Sequence, residues 1–437
     1  MNFRKSSLTN NTMEVRYMRI QRCRRSAAAV LAAAVLAAVP AAAAEITFPV
    51  PAYTPDELAR VRQWEQTWAG KKIDKSTIDA VAEFMPPSYA GIYKDPQKWG
   101  APPEGLFFTI VPYRQIIETK GMIEATRTYA PRVKTDAEGT IINYTEIAGF
   151  PFPRPETGLQ IAYNIECQNR GDTYKMNWYG PVIDPKGRTD RMSDQDQLGL
   201  YYIHRTDVDP RPAIPKNSKG YHKGQFLHVN LPAENNNTRL ISMKFIDEAK
   251  EFSSYIYFAQ YRRIQRLSQA ERVNAIDGTD MIYDDGDMWD GYLSRNTYSC
   301  KGKKDLLLSR HQDMSTTTRI AGQALRNGLS FERCNTWVVE AINKDPDYIY
   351  SKRVWYIDPE TYWIHWQEVY DELGRFWKCF LQPTNDIRTA GGEMKNFMVH
   401  NNFHDFQRTH SGDTLIRVNG IGISPKTFYL SNLQKTY

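Results

Sequence analysis

The chain is poor in the residues that announce common chemistries. Its 437 residues include five cysteines. No two of them stand at C-x-x-C spacing, so a zinc site or thioredoxin-like redox centre has no local motif. No G-x-S-x-G elbow, P-loop or dinucleotide-binding glycine fingerprint occurs, which leaves Ser or Cys nucleophiles and nucleotide chemistry without a signature. Long apolar runs are missing as well. The longest, Ala27 to Val39, falls short of the roughly 20 residues a membrane-spanning helix needs. An excess of one charge is absent from most of the chain. Seven of the 56 Lys and Arg but one of the 50 Asp and Glu lie in Met1 to Ala44, so the formal net charge of +6 belongs to that segment. Nucleic-acid binding by bulk electrostatics is thereby excluded for the remainder.

That first segment has the layout of an export signal. Arg19, Arg22, Arg24 and Arg25 precede the apolar run, and Ala42-Ala43-Ala44 offers small residues for cleavage before Glu45. The expectation is a signal peptide over 1–44, a single β-rich domain over 45–437, and delivery to the periplasm of a bacterial cell envelope. Four cysteines would remain: Cys167, Cys300, Cys334 and Cys379. They allow three disulfide pairings or free thiols, and the sequence leaves that choice open.

What the chain does have is aromatic residues, 12% of the total, concentrated in short β-branched runs. Thr336 to Ile342, Tyr350 to Ile357, Tyr362 to Tyr370 and Arg375 to Leu381 read as four strands of an antiparallel meander. Asp358-Pro359-Glu360-Thr361 and Asp371-Glu372-Leu373-Gly374 supply the turns, because Pro presets φ and Gly accepts positive φ. A two-residue loop at Pro359-Glu360 would face Ile357 with Tyr362, Trp355 with Ile364 and Arg353 with Trp366, placing Trp355, Ile357, Ile364 and Trp366 on one apolar strip. These four are the candidate lining of a hydrophobic cavity. The second turn is compatible with a two-residue loop or with a three-residue loop carrying a Gly374 bulge.

Further strands are expected at Phe107 to Val111, Met122 to Tyr129, Thr140 to Ile147, Tyr174 to Tyr179, Leu198 to Arg205, Gln225 to Leu231, Arg239 to Ile246 and Ser254 to Ile264. A last hairpin is expected over Phe403 to Gly420. Spacing of about ten residues points to a mainly β sandwich or barrel. Helices are few. Thr54-Pro55-Asp56-Glu57 reads as a capping box opening a helix to about Ala69, a second should span Ser76 to Met85, and a third lies near Thr318 to Arg326. The first two would form a movable cover for the sheet. Pro383 to Lys395 reads as a polar linker.

Two clusters invite a metal reading. Asp280, Asp284, Asp285, Asp287 and Asp290 crowd around Gly286, but the spacing departs from the D-x-[DN]-x-[DN]-G calcium loop. A solvated acidic loop is the expectation. His400 and His404 stand four apart without the Glu of H-E-x-x-H, in a stretch that reads as strand, so surface histidines are expected. Hence no metal, no cofactor and no catalytic residues are assigned.

Several stretches together resemble the DUF1329 family, a domain of unknown function: Phe84 to Gly100, Pro112 to Arg114, Ala148 to Asn164 with its A-G-x-P-F-P-x-P-x-x-G run, Gly278 to Asp285, and the W-V-V-E-A, K-R-V-W-Y-I-D-P-E-T-Y-W-I and Y-D-E-L-G-R-F-W-K runs of the meander. Arg154 stands where an apolar residue is usual, and Tyr163 where Trp is usual. The resemblance extends in predicted fold to outer-membrane lipoprotein carriers and their receptor. It implies α+β architecture: a large curved antiparallel sheet or incompletely closed barrel, covered by N-terminal and internal helices, with an apolar cavity. The function it implies is a carrier or binding protein for a lipid, lipoprotein acyl chain or other hydrophobic molecule, and not an enzyme. An envelope transporter or outer-membrane component would be its protein partner. The rival expectations are a metal-assisted periplasmic enzyme and an accessory subunit of an envelope transport system that binds no lipid.

Overall fold

The computed structural model describes residues 48–435, apart from 103, 104, 269, 277, 278 and 321. The expected signal peptide lies outside the described residues. Four α-helices occur among them: α1 (Pro55–Trp68), α2 (Pro87–Lys94), α3 (Lys120–Tyr129) and α4 (Gly158–Glu166). The first eight strands are β1 (Lys72–Ile73), β2 (Phe108–Ile110), β3 (Thr173–Ile183), β4 (Thr189–Tyr201), β5 (Tyr221–Leu231), β6 (Arg239–Phe245), β7 (Ser253–Phe258) and β8 (Arg263–Leu267). Then come β9 (Asn296–Leu308), β10 (Thr318–Arg319), β11 (Arg326–Asn327), β12 (Leu329–Asn343), β13 (Tyr350–Ile357), β14 (Ile364–Asp371) and β15 (Phe376–Leu381). The last four are β16 (Thr384–Arg388), β17 (Met394–Met398), β18 (His400–Asp405) and β19 (Ser411–Asn419).

Fifteen of these strands form one open sheet in the order β1-β2-β12-β13-β14-β15-β18-β19-β3-β4-β5-β6-β7-β8, with β9 also paired to β12. All pairings are antiparallel except β2 with β12. The meander read from the sequence is therefore one part of a much wider sheet, and the mainly β class with some helices holds.

Local chemistry explains several elements. Thr54 caps α1, and the Thr54–Glu57 capping box closes reciprocally, satisfying backbone donors that would otherwise lack partners. At Asp371 to Gly374 the three-residue alternative is realised. Asp371 N donates to Arg375 O at 2.9 Å, and Gly374 takes φ +73°.

Other expectations are corrected. Met122 to Tyr129 is helix, not strand: Thr119 caps it, and Met122, Ala125 and Thr126 bury one face at helical spacing, which outweighs the β-branched content. Thr140 to Ile147 carries a single bridge, Thr135 to Ile141, and a 3₁₀ turn. Ser76 to Met85 holds two 3₁₀ turns, and the α-helix begins only at Pro87, where Pro suits the first helical position. Thr318 to Arg326 is the β10–β11 hairpin, turned at Gly322 with φ +73°. The expected linker holds β16 and the start of β17, which pair as a hairpin.

Where the sheet passes through β12 to β15, both faces are covered. On one face Phe331, Tyr356, Trp366 and Leu381 pack beneath α1, α2 and the chain around Ile110. On the other, Trp355, Ile357, Ile364 and Phe380 pack beneath Phe150, Ile161, Met288 and Trp289. The α1 helix belongs to the first layer, with Trp64 against Phe84 at 5.4 Å and Arg333 over the Phe84 ring at 4.3 Å.

Candidate binding cavity

The four candidate lining residues are separated by the sheet. The loop from Asp358 to Trp363 is longer than the expected two residues: Asp358 N donates to Trp363 O, and Tyr362 adopts φ +58°. The observed pairs are Trp355 with Gln367, Tyr356 with Trp366 and Ile357 with Ile364, with a register shift between the last two. One extra residue, His365, sits in that shift and reverses which side chains face which way. Trp355, Ile357 and Ile364 fall in one core layer and Trp366 in the opposite one. All four are 0–2% exposed, and the cavity described next is lined by other residues.

That cavity lies over β3 to β8, and strand alternation builds it. On β4 to β7, Leu198, Leu200, Phe226, Ile241, Met243, Tyr255 and Tyr257 point to one side, where Phe428 and Leu433 of the C-terminal turns cover them. Their neighbours Gln195, Gln197, Gln225, Leu227, Val229, Leu240, Ser242, Ser254 and Ile256 point to the other and line the cavity. In register, Leu227 faces Leu240 and Leu240 faces Ile256, giving an apolar row across three strands. Beside it, Ser242 and Ser254 face each other with hydroxyls 2.8 Å apart. Short side chains here leave room that Leu or Phe would fill. Gly180 is obligatory for a different reason, since a Cβ would sit 1.8 Å from Asp413 O.

The roof comes from the chain between β8 and β9, through Arg272, Ile276, Thr279, Met281, Tyr283 and Gly286. Trp178, Val182 and Phe403 close the side toward the middle of the sheet. The space is partly open and holds about 190 Å³. At about 30 Å³ per water-sized group, that seats on the order of six heavy-atom groups. The cover expected from Asp56 to Met85 is thus corrected: those residues pack on the meander, and the roof is this later segment.

The roof is held by its acidic cluster, which is buried at 0–6% exposure instead of solvated. Each carboxylate meets a cation, Asp284 one from the roof itself and the other four one from other parts of the chain. Asp280 accepts from His410 Nδ1 at 2.7 Å and from Arg408. Asp284 takes Arg272 Nε at 3.0 Å and the Tyr348 hydroxyl at 2.8 Å. Asp285 takes Arg353 Nη1 at 2.7 Å and the Tyr350 hydroxyl at 2.9 Å. Asp287 pairs with Arg170, and Asp290 with Lys223 at 2.6 Å. Burial works to raise the Asp290 pKa, but Lys223, then Arg272 and Lys244, outweigh it and hold it down to about 2. Carboxylates so engaged are strapping groups, because unpaired buried charge is costly. The part of this loop at residues 277 and 278 lies outside the described residues.

The histidines are also internal, against expectation. His400 and His404 sit on β18 at 1% and 0% exposure. His400 Nε2 meets Asp413 Oδ1 at 2.6 Å, while His404 Nε2 meets Asn402 Oδ1 at 2.8 Å. Burial lowers the His404 pKa to about 3, so it stays neutral. Among the described residues, no group of three or more His, Cys, Asp or Glu is placed to hold a metal ion.

The sequence reading missed the cavity residues. Their signal was the alternation Leu240-Ile241-Ser242-Met243, with a serine on the face that an ordinary core would fill with an aliphatic side chain.

Fold and cavity together define an open, mostly antiparallel sheet with an apolar pocket roofed by an ion-paired loop. The chain belongs to the family described as protein of unknown function (DUF1329), whose pattern matches residues 101–418. An uncharacterized protein of Pseudomonas aeruginosa is 25% identical over 241 residues, covering 52% of this chain and 51% of that protein. The chain thus spans about half the length of that curated relative. Among solved structures, a DUF1329 family protein from Desulfovibrio piger aligns with TM-score 0.47 and 12% identity, over 63% of this chain and 98% of that one. A domain from Vibrio parahaemolyticus named for outer-membrane lipoprotein sorting aligns with TM-score 0.46 and 14% identity, over 64% and 98%. Resemblances this loose carry nothing about function.

Proposed function

We propose that this protein is a non-catalytic binding or carrier protein for a hydrophobic small molecule, seated between β3–β8 and the roof formed by residues 270–276 and 279–290. The observation that carries the reading is the cavity itself: Leu227, Val229, Leu240, Ile256, Met281 and Phe403 present apolar surface to a space that the protein leaves unfilled. Apolar surface lining a partly open pocket is exposed to water, and an apolar guest that covers it removes that surface from solvent. Burying about six methylenes at about 0.8 kcal/mol each supplies roughly 5 kcal/mol. That suits reversible uptake of one short chain or the end of a longer one. Export to the periplasm, a lipid or lipoprotein acyl chain as the guest, and hand-over to an envelope transporter or outer-membrane component belong to the same proposal. The N-terminal arginine-plus-alanine leader supports export.

Native mass spectrometry of protein purified from its own envelope tests this. An apolar adduct that survives gentle ionisation and disappears on extraction with organic solvent is the expected result. Repeated recovery of the bare chain mass, with no uptake of added apolar compounds, defeats the proposal.

A further inference from the structure

Two side chains that line the cavity carry N–H groups without a hydrogen-bond partner among the described residues: Trp178 Nε1 and Asn401 Nδ2. Asn401 is 2% exposed. The two sit on the strands that flank β19, facing the same side of the sheet. Asn401 on β18 faces Thr414 on β19, and two positions along β19 Ile416 faces Trp178 on β3. Folded proteins leave few buried donors unmade, and each exception calls for a reason. An indole N–H can only donate, so its missing partner is an acceptor.

Charge narrows what kind of acceptor. Arg272, the cation among the described lining residues, is committed to Asp284 at 2.9 Å and lies 3.6 Å from Asp290. Asp287 and Asp290, which also line the space, are neutralised by Arg170 and Lys223. A carboxylate or phosphate entering here would find donors but no unengaged positive charge, and a buried anion without a counter-charge is strongly disfavoured.

We propose that the cavity's guest is a neutral apolar molecule bearing a carbonyl oxygen, such as an ester or ketone, with that oxygen received by Trp178 Nε1 and Asn401 Nδ2. This rests on the cavity being a binding site. The donors then set the guest's orientation, and the Leu227–Leu240–Ile256 row holds its hydrocarbon part.

The test uses the intact protein and three probes of matched length, 2-decanone, decane and decanoate, each displacing a fluorescent naphthylamine. The ketone should bind about tenfold more tightly than the alkane, as one to two added hydrogen bonds would give, and more tightly than the carboxylate. Trp178→Phe, which keeps a ring and removes the N–H, should shrink the ratio of ketone to alkane affinity, the alkane measured on the same variant serving as the reference for the altered wall. Asn401→Leu is the second variant, read in the same way. Equal binding of ketone and alkane, or an advantage that survives both substitutions, overturns the proposal and leaves water as the donors' partner. Tightest binding of decanoate overturns its neutrality. If the alkane also fails to bind, the cavity reading itself has failed.

Discussion

Arg353 and Asp285 meet at 2.7 Å, one from the middle of the sheet and the other from the roof of the cavity, both within 5% of full side-chain burial. The contact ties a segment rich in acid to the strand beneath it. Burial works to lower the arginine pKa, while Asp285, then Tyr348 and Tyr350, raise it and keep the guanidinium charged. Asp285→Ala leaves that cation buried without its counter-charge and should cost about 3–5 kcal/mol, read as a lower urea midpoint. Because each roof carboxylate is already met by a protein cation, EDTA should leave the melting temperature of the unsubstituted protein unchanged. A drop on chelation would revive the metal reading.

Acid should loosen the roof in a predictable window. Asp290 is held down to about 2, against about 3.9 for an unfolded aspartate. A depressed carboxylate contributes its stability above the unfolded value and loses it as pH falls through the folded one. Stability should therefore decline from about pH 4 toward pH 2, with Asp290 supplying on the order of 2 kcal/mol of that loss. In Asp290→Asn the slope of stability against pH in this range should be shallower.

Filling the cavity should abolish uptake without unfolding the chain. Leu227 is partly exposed and faces the void beside Leu240. Leu227→Trp adds bulk where space exists, so it should avoid the 1–3 kcal/mol or so that overpacking costs in a filled core. The expected outcome is loss of apolar-probe binding with circular dichroism unaltered. Retained binding would locate the guest elsewhere.

The four cysteines among the described residues are free thiols; Cys300 is half-buried, and Cys167, Cys334 and Cys379 are buried. Thiol titration of the native protein should detect one group reacting fast and three only on unfolding. Burial raises the pKa of Cys167, Cys334 and Cys379, which keeps them as unreactive thiols. A reducing agent should leave the melting temperature where it was. A disulfide detected by mass spectrometry would contradict this.

Much of the local architecture was legible in the residues. Thr54 and Glu57 announce α1, Asp358-Pro359 and Asp371 to Gly374 announce turns, and Tyr350 to Ile357 forms a strand with the bounds read from its pattern. These depend on a few neighbouring residues, whose preferences act whatever the rest of the chain does. Where two local signals competed, as in Met122 to Tyr129, the spacing of buried residues prevailed over β-branched content.

The site was a different matter. Trp355 and Trp366 were assigned one face by assuming a two-residue turn, and a single extra residue at His365 sent them to opposite layers. The aspartates of 280–290 looked solvated because their partners, Arg170, Lys223, Arg353 and His410, come from distant points in the chain. By itself the sequence determined which short stretches turn, cap and extend, since those energies are settled within a few bonds. Only the tertiary structure decided the register, the strapping of the roof and the position of the void. Each of these requires strands remote in sequence to meet, and side-chain facing with a period of two reverses at every inserted residue.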